Sequence, residues 1–286
     1  MTTDGILTTI DGRPALRFER RYRHPIERVW RAISDPAEMG RWFPSEVEGD
    51  RAVGARLVFD DDAQRAAARA AGEPTRDDGG PMFEGTVVVY DPPHVFSFSW
   101  GGELIRLELL ADGDHTVLLF TQVLSHRSVA ARNGAGWHSC LAELDRLLDE
   151  PRREDADDED GSDGMAVFDD YLDRMGPPLG TPTGDGAVTW ERASHVPPER
   201  VRAVTSEPGE RQAWGADGRA GDPQRWDIEA TDHGSVFRLT VADIGADAER
   251  AAEWHALLVQ LDMYLAAGQL IPADHSRWVA AYAAVL

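Results

Sequence analysis

Two dipeptides in this chain of 286 residues invite a chemical reading. Trp137-His138 and Trp254-His255 each set an imidazole beside an aromatic ring, where a general base can have a shifted pKa. The second pair lies in a stretch with few strand signals, so a structural role is the better reading: Trp packed, His hydrogen-bonded or solvated. The nine His residues show no His-X-X-X-His or His-Glu-X-X-His spacing, and no metal site is expected. Cys140 is the only cysteine, which excludes an intrachain disulfide, a Cys-X-X-Cys redox pair and a thiolate zinc cluster. One turn from Trp137, it is expected to pack as a small apolar residue rather than act as a nucleophile. Asp145 and Asp262 read as exposed helix carboxylates. No catalytic residue and no cofactor are assigned.

Composition narrows the classes further. All 29 basic residues are Arg, which excludes a Walker phosphate loop, a Schiff-base lysine and a pyridoxal-phosphate site. With 51 Asp and Glu the net charge is −22, which repels phosphate backbones and anionic lipid, so neither nucleic acid nor a membrane is an expected partner. The N-terminus lacks a charged region followed by an apolar run, and no stretch approaches the ~20 apolar residues of a bilayer span; the expected location is the cytoplasm. The length, with 42% hydrophobic content, suits two domains at ~100–200 residues each.

The elements that must position these residues follow from periodicity. Residues 15–22 alternate Leu16 and Phe18 with Arg17 and Glu19, a strand pattern. Pro25 then opens a helix through Ile33, and Asp35-Pro36 a second ending near Trp42. Strands follow at 56–59, 82–90, 95–100, 104–110 and 116–123, and a helix from Val129 to about Glu150 carries Trp137, Leu141, Leu144 and Leu148 on one stripe. Residues 63–71 are a helix-prone insertion in the meander. Asp149–Asp163 is a run of like charges with nothing apolar to bury, expected to be a solvated linker. After it Phe168, Tyr171, Leu172 and Met175 line one face of a helix expected to dock, and Pro and Gly in 176–184 disfavour regular structure.

An internal repeat organises the rest. At an offset of 172, Phe18–Trp42 matches Trp190–Trp214 at Glu19, Arg20, Pro25, Glu27, Arg28, Val29, Ser34, Pro36, Glu38 and Trp42, where roughly two matches would arise by chance. At an offset of 117, Trp137, His138, Leu141, Leu144, Asp145 and Leu148 match Trp254, His255, Leu258, Leu261, Asp262 and Leu265. The second copy is therefore shorter in its middle, with strands only at about 225–230 and 235–241 between its short helices and its long one. The expected domains are 1–150, a linker with the docking helix at 151–183, and a truncated copy at 184–286.

The run His24-Pro25-Ile26-Glu27-Arg28-Val29-Trp30, then Ser34-Asp35-Pro36 through Arg41-Trp42-Phe43, Gly85–Pro93, Phe96–Trp100, Thr116-Val117-Leu118 and Gly136-Trp137 resembles the Hsp90-ATPase-activator-like branch of the START-like, or SRPBCC, superfamily. The family often has His in the strand position held here by Gln122. The resemblance implies an α+β helix-grip fold, in which a curved antiparallel sheet wraps the long C-terminal helix, here followed by the truncated second copy. It also implies that a cavity lies between sheet and helix. Its expected lining is Trp30, Phe43, Phe96, Phe98, Trp100, Ile105, Leu107, Leu118, Phe120, Gln122, Trp137 and Leu141, with ordinary core packing of the same side chains as the alternative. The expected function is non-enzymatic binding of a small hydrophobic or amphipathic molecule; a co-chaperone-like protein-interaction module is the alternative, and a cyclase or hydrolase type of enzyme the third reading. In the truncated copy, a sheet so small is expected to leave part of the stripe of Trp254, Leu258, Leu261 and Leu265 without a partner strand, to be covered by the Phe168–Met175 helix, the C-terminal Trp278, Val279 and Tyr282 face, or the first domain.

Overall fold

The computed structural model describes residues 3–60, 83–149, 164–216, 222–268 and 270–286. The helix-prone insertion at 63–71 and the acidic run after Asp149 lie outside these residues. The described chain forms two compact units, one of residues up to Ser125 with Ala130–Met175, the other of His126–Val129 with Gly176–Leu286.

The first unit opens with a hairpin that the sequence pattern does not announce. Strands β1 (Thr3–Ile10) and β2 (Arg13–Tyr22) turn at Asp11-Gly12, where φ is +49° and +78°. Two successive left-handed residues give a tight turn whose twist matches that of the strands. Helix α1 (Ile26–Ser34) starts directly after Pro25, where a fixed φ and a missing N–H carry no penalty. Helix α2 (Pro36–Met39) is capped by Asp35, whose carboxylate accepts from the N–H groups of Ala37 (3.0 Å) and Glu38 (3.1 Å). Arg28 and Arg31 both reach Glu38, at 2.5 and 2.6 Å, and tie the two helices together.

Strands β3 (Glu46–Glu48), β4 (Arg56–Asp60), β5 (Phe83–Asp91), β6 (Val95–Trp100), β7 (Glu103–Asp112) and β8 (His115–Val123) follow. All neighbours are antiparallel, in the order β1-β2-β8-β7-β6-β5-β4-β3. Helix α3 (Ala130–Asp149) buries Trp137, Leu141, Leu144 and Leu148 on one face. Helix α4 (Gly164–Met175) packs on α3, with Phe168, Tyr171, Leu172 and Met175 buried. Gly134 makes room for it, since a Cβ there would lie 2.5 Å from the Tyr171 ring. The Tyr171 hydroxyl accepts from the Gly5 N–H at 2.9 Å.

The second unit contains β9 (Thr181–Pro182), β10 (Val188–Ser194), α5 (Pro198–Ser206), α6 (Pro208–Ala213), β11 (Gln224–Thr231), β12 (Gly234–Val241), α7 (Ala248–Ala267) and α8 (Ser276–Ala283). Its sheet runs β11-β12-β10-β9. Strand β9 falls in a stretch expected to be irregular; it is two residues long and on an edge, where proline is tolerated in a sheet.

The stripe of Trp254, Leu258, Leu261 and Leu265 is buried, and of the segments expected to cover it the C-terminal one does so. Helix α8 packs along α7, laying Trp278 over His255 (ring centroids 4.5 Å), and Trp190 and Phe237 are buried in the sheet. One expectation is overturned here: Asp145 and Asp262 are not exposed helix carboxylates. Each faces a buried strand arginine, Arg20 to Asp145 at 3.6 Å and Arg192 to Asp262 at 3.4 Å. A guanidinium taken out of water requires a counter-charge, and the long helix of each unit supplies one.

Several contacts occur in both units. Trp42 Nε1 donates to Ala32 O at 2.9 Å, and Trp214 Nε1 to Val204 O at 3.0 Å. Thr116 Oγ1 donates to His24 O at 2.7 Å, and Ser235 Oγ to Val196 O at 3.0 Å. The Gly5 N–H meets the Tyr171 hydroxyl, and the Gly180 N–H meets that of Tyr282 at 2.7 Å.

Candidate functional site

Alternation along β6, β7 and β8 turns Phe96 and Phe98, then Ile105 and Leu107, then Leu118, Phe120 and Gln122 to the buried side. Phe43 enters from the turn after α2, and Trp137 and Leu141 from α3. Phe43 lies at the centre. Its ring centroid is 5.4 Å from Trp137, 5.7 Å from Trp100, 5.9 Å from Phe98 and 6.0 Å from Phe59. Trp137 also meets Phe120 at 4.5 Å and Trp100 at 5.6 Å. These spacings are those of edge-to-face and offset aromatic contacts. Of the twelve residues expected in the lining, ten are buried, while Trp30 and Trp100 are half-exposed. Trp30 does not join the Phe43 group directly; it reaches it through Tyr90 (5.5 Å) and Phe96 (5.8 Å from Tyr90).

Sequence reading missed three participants. Phe59 and Tyr90 are aromatic members of β4 and β5. The third, Glu103, is the one charged group of β7 turned inward, 1% exposed. Its carboxylate accepts from Gln122 Nε2 (2.5 Å), Ser125 N (2.9 Å), Ser125 Oγ (2.8 Å) and Asn133 Nδ2 (3.3 Å). Burial pushes its pKa up, and the Ser125 donors only partly offset this. Gln122 in turn accepts from Trp137 Nε1 at 2.7 Å. The two oxygens of Glu103 and the oxygen of Gln122 are thus engaged, while the amide nitrogen of Gln122 has a second N–H that makes no hydrogen bond among the described residues. The signal was available: Glu103 is in step with Ile105 and Leu107, on the face that alternation buries. It follows Gly101-Gly102, and so reads as part of the turn.

The remaining candidates do not converge here. Burial pushes the Cys140 thiol up to about 12, which leaves no thiolate for nucleophilic chemistry. His138 is half-exposed beside Tyr171 and Asp4, whereas His255 is buried against Tyr282 and Trp278. Among the described residues no three His, Cys, Asp or Glu side chains gather as a metal-binding group, and no helix is long and apolar enough to cross a membrane. The arrangement is a cluster of aromatic rings in mutual contact, with a buried amide and a buried carboxyl group at one end and half-exposed Trp100 among the rings.

A long antiparallel sheet with two short helices after its second strand and a long helix at its end is the helix-grip class. Residues 23–149 match the family described as Activator of Hsp90 ATPase homolog 1-like protein. Among solved structures, CalU16 from Micromonospora echinospora is similar at 19% identity and a TM-score of 0.43, over 61% of this chain and 94% of that one. A conserved protein of unknown function, EF2215 from Enterococcus faecalis, gives 17% and 0.46, over 60% and 90%. The protein encoded by BPP1335 from Bordetella parapertussis gives 26% and 0.43, over 60% and 92%. No curated protein matches the chain.

Proposed function

We propose that the first unit binds a small amphipathic molecule between its sheet and α3, without catalysing a reaction. The supporting observation is the combination at one place of a cluster of aromatic rings (Phe43, Phe98, Trp100, Phe120, Trp137) with the Gln122 amide, which has an N–H to give. An apolar body would lie on the rings and a polar acceptor would take that N–H. Half-exposed Trp100 marks the side from which such a molecule would reach the rings. The second unit is, on this reading, a shortened copy that supports the first and carries no ligand; the paired contacts of Trp42 and Trp214, and of Tyr171 and Tyr282, support common descent of the two.

Titration of a lipid-like fluorophore tests the proposal. Wild type should bind with a Kd of about 1–10 µM, roughly −7 to −8 kcal/mol, and quench tryptophan fluorescence. Leu118→Trp, with an unchanged far-UV spectrum, should lose that binding because the larger indole takes up room on the buried face of β8. Equal binding by both proteins would rule out this site. Absence of binding by wild type would leave the second reading, a protein-interaction module, which the close contact among the rings themselves favours.

A further inference from the structure

The polar end of the aromatic cluster can be read atom by atom. The indole Nε1–H of Trp137 only donates, so the Gln122 atom 2.7 Å from it is the amide oxygen. A carboxylate only accepts, so the Gln122 atom 2.5 Å from Glu103 is the amide nitrogen. Two one-way partners thus fix which way the amide points. Glu103 is saturated in turn: one oxygen accepts from Ser125 N and Ser125 Oγ, the other from Gln122 Nε2 and Asn133 Nδ2. Asn133 Oδ1 accepts from Arg132 Nε at 3.3 Å, which sets that amide as well. A proton on Glu103 would displace one of its donors, so they favour the carboxylate against its burial.

The second unit shows what this arrangement adds. Gln122 faces Leu16 and Ile105 across its ladders, where Val241 faces Val188 and Gln224. Asp222, two residues before Gln224, therefore holds the place that Glu103 holds before Ile105. There the carboxylate takes the tryptophan directly, Trp254 Nε1 donating to Asp222 Oδ2 at 3.1 Å. Tying the long helix's tryptophan to a carboxylate thus requires no glutamine. In the first unit Gln122 is inserted into that tie, and it brings one N–H more than the tie uses. Gln122 is fully buried, and this N–H has no acceptor among the described residues, a situation that costs free energy until an acceptor arrives.

On the reading that the first unit binds an amphipathic molecule, on which this inference rests, we propose that Gln122 and Glu103 select its polar end. A neutral acceptor, such as an ester or ketone carbonyl, takes the Gln122 N–H, and a carboxylate is refused by the charge of Glu103. Acceptors on the two N–H groups of one amide nitrogen lie about 5 Å apart. A ligand carboxylate would set two negative charges at that distance away from water, where their repulsion is strong. The cations that act on Glu103, Arg132 and Arg13, do so more weakly than Ser125. A carbonyl meets no such repulsion. A hydroxyl or ammonium donor finds no lone pair left on Glu103.

The test is displacement of the lipid-like fluorophore from the full chain by methyl decanoate and by decanoate, at about pH 8, where a free carboxyl is ionised. The two competitors share a chain and differ in charge. Wild type should bind the ester more tightly than decanoate by about thirtyfold or more. Glu103→Gln keeps the shape and removes the charge, and should narrow that gap by about tenfold or more. Gln122→His can give one N–H to Glu103 and accept from Trp137 on its other ring nitrogen, which leaves no N–H for a ligand. With an unchanged far-UV spectrum, it should weaken ester binding by about fivefold. Equal affinities in wild type, a gap that Glu103→Gln leaves as it was, or full ester affinity in folded Gln122→His would overturn the inference and leave the binding site standing. A fluorophore that does not bind wild type at all would overturn the reading beneath it, and the inference with it.

Discussion

Replacing Tyr282 by Phe deletes one oxygen and leaves the ring, so its effect can be worked from hydrogen bonds alone. That hydroxyl accepts from the Gly180 N–H and from Trp190 Nε1, both at 2.7 Å. With both lone pairs taken, its proton goes to His255 Nδ1, 2.9 Å away. Tyr282→Phe therefore strands two buried N–H groups and a ring nitrogen. At roughly 1–3 kcal/mol for each unsatisfied group, moderated by relaxation, the second unit should lose about 3–5 kcal/mol. Tyr171→Phe is the internal control. Its hydroxyl accepts from Gly5 N at 2.9 Å and stands 3.4 Å from the half-exposed His138, so about 1–2 kcal/mol is expected. Urea unfolding followed by tryptophan fluorescence measures both. Cys140, the only thiol, lies in the first unit, and its labelling rate separates that unit's transition from the other. Tyr282→Phe should shift the transition that thiol labelling does not follow. A cost below about 1 kcal/mol, or equal costs for the two variants, would refute the reasoning.

Two further outcomes follow from single residues. Burial, and then the charge of Arg192, hold the His255 pKa well below the ordinary imidazole value. The folded state thus keeps it neutral, so its contribution is intact above about pH 6.5 and is lost as pH falls below that, by up to about 1.4 kcal/mol per pH unit; His255→Asn should flatten the acid limb of a stability–pH curve, and an unchanged slope would count against the assignment. Gly85 has no room for a side chain, since a Cβ would lie 1.9 Å from the Ser99 carbonyl oxygen. Gly85→Ala should cost about 2–3 kcal/mol by forcing β5 away from β6, and a thermal midpoint within a degree of wild type would show that the strands can part freely.

What the sequence discloses here depends on how local the cause is. Alternation placed β2, β6, β7 and β8, and Pro25, Asp35-Pro36 and the Trp137–Leu148 stripe placed α1, α2 and α3, because each signal lies within the element it specifies. Strand β1 was missed. It carries Asp4 and Gly5 and leaves Ile6 exposed, so its pairing with β2 depends on the Asp11-Gly12 turn and on the partner strand rather than on a pattern of its own. The burial of Arg20 and Arg192 was missed because the carboxylates that neutralise them lie far along the chain, on α3 and α7. For the candidate site, the aromatic members were legible as positions on a shared face. Their mutual contacts were not, since ring spacing is set by how the helix and the sheet pack.

The β2–β8 and β10–β12 ladders also set how quickly each unit can close. Ala15 pairs with Val123 in the first unit, and Val188 with Val241 in the second, so the ladder that joins the first strand to the last spans about half as much chain in the second. Halving a closure loop saves only about 0.6 kcal/mol of chain entropy. Mean contact separation falls along with it, and folding rates are far more sensitive to that quantity than stability is. With the strands β3 to β7 interposed, the first unit must bring β2 and β8 together across a whole meander. On dilution from denaturant the second unit should therefore be the earlier to fold, and Cys140 should remain open to labelling after most of the Trp190, Trp214 and Trp254 signal has returned.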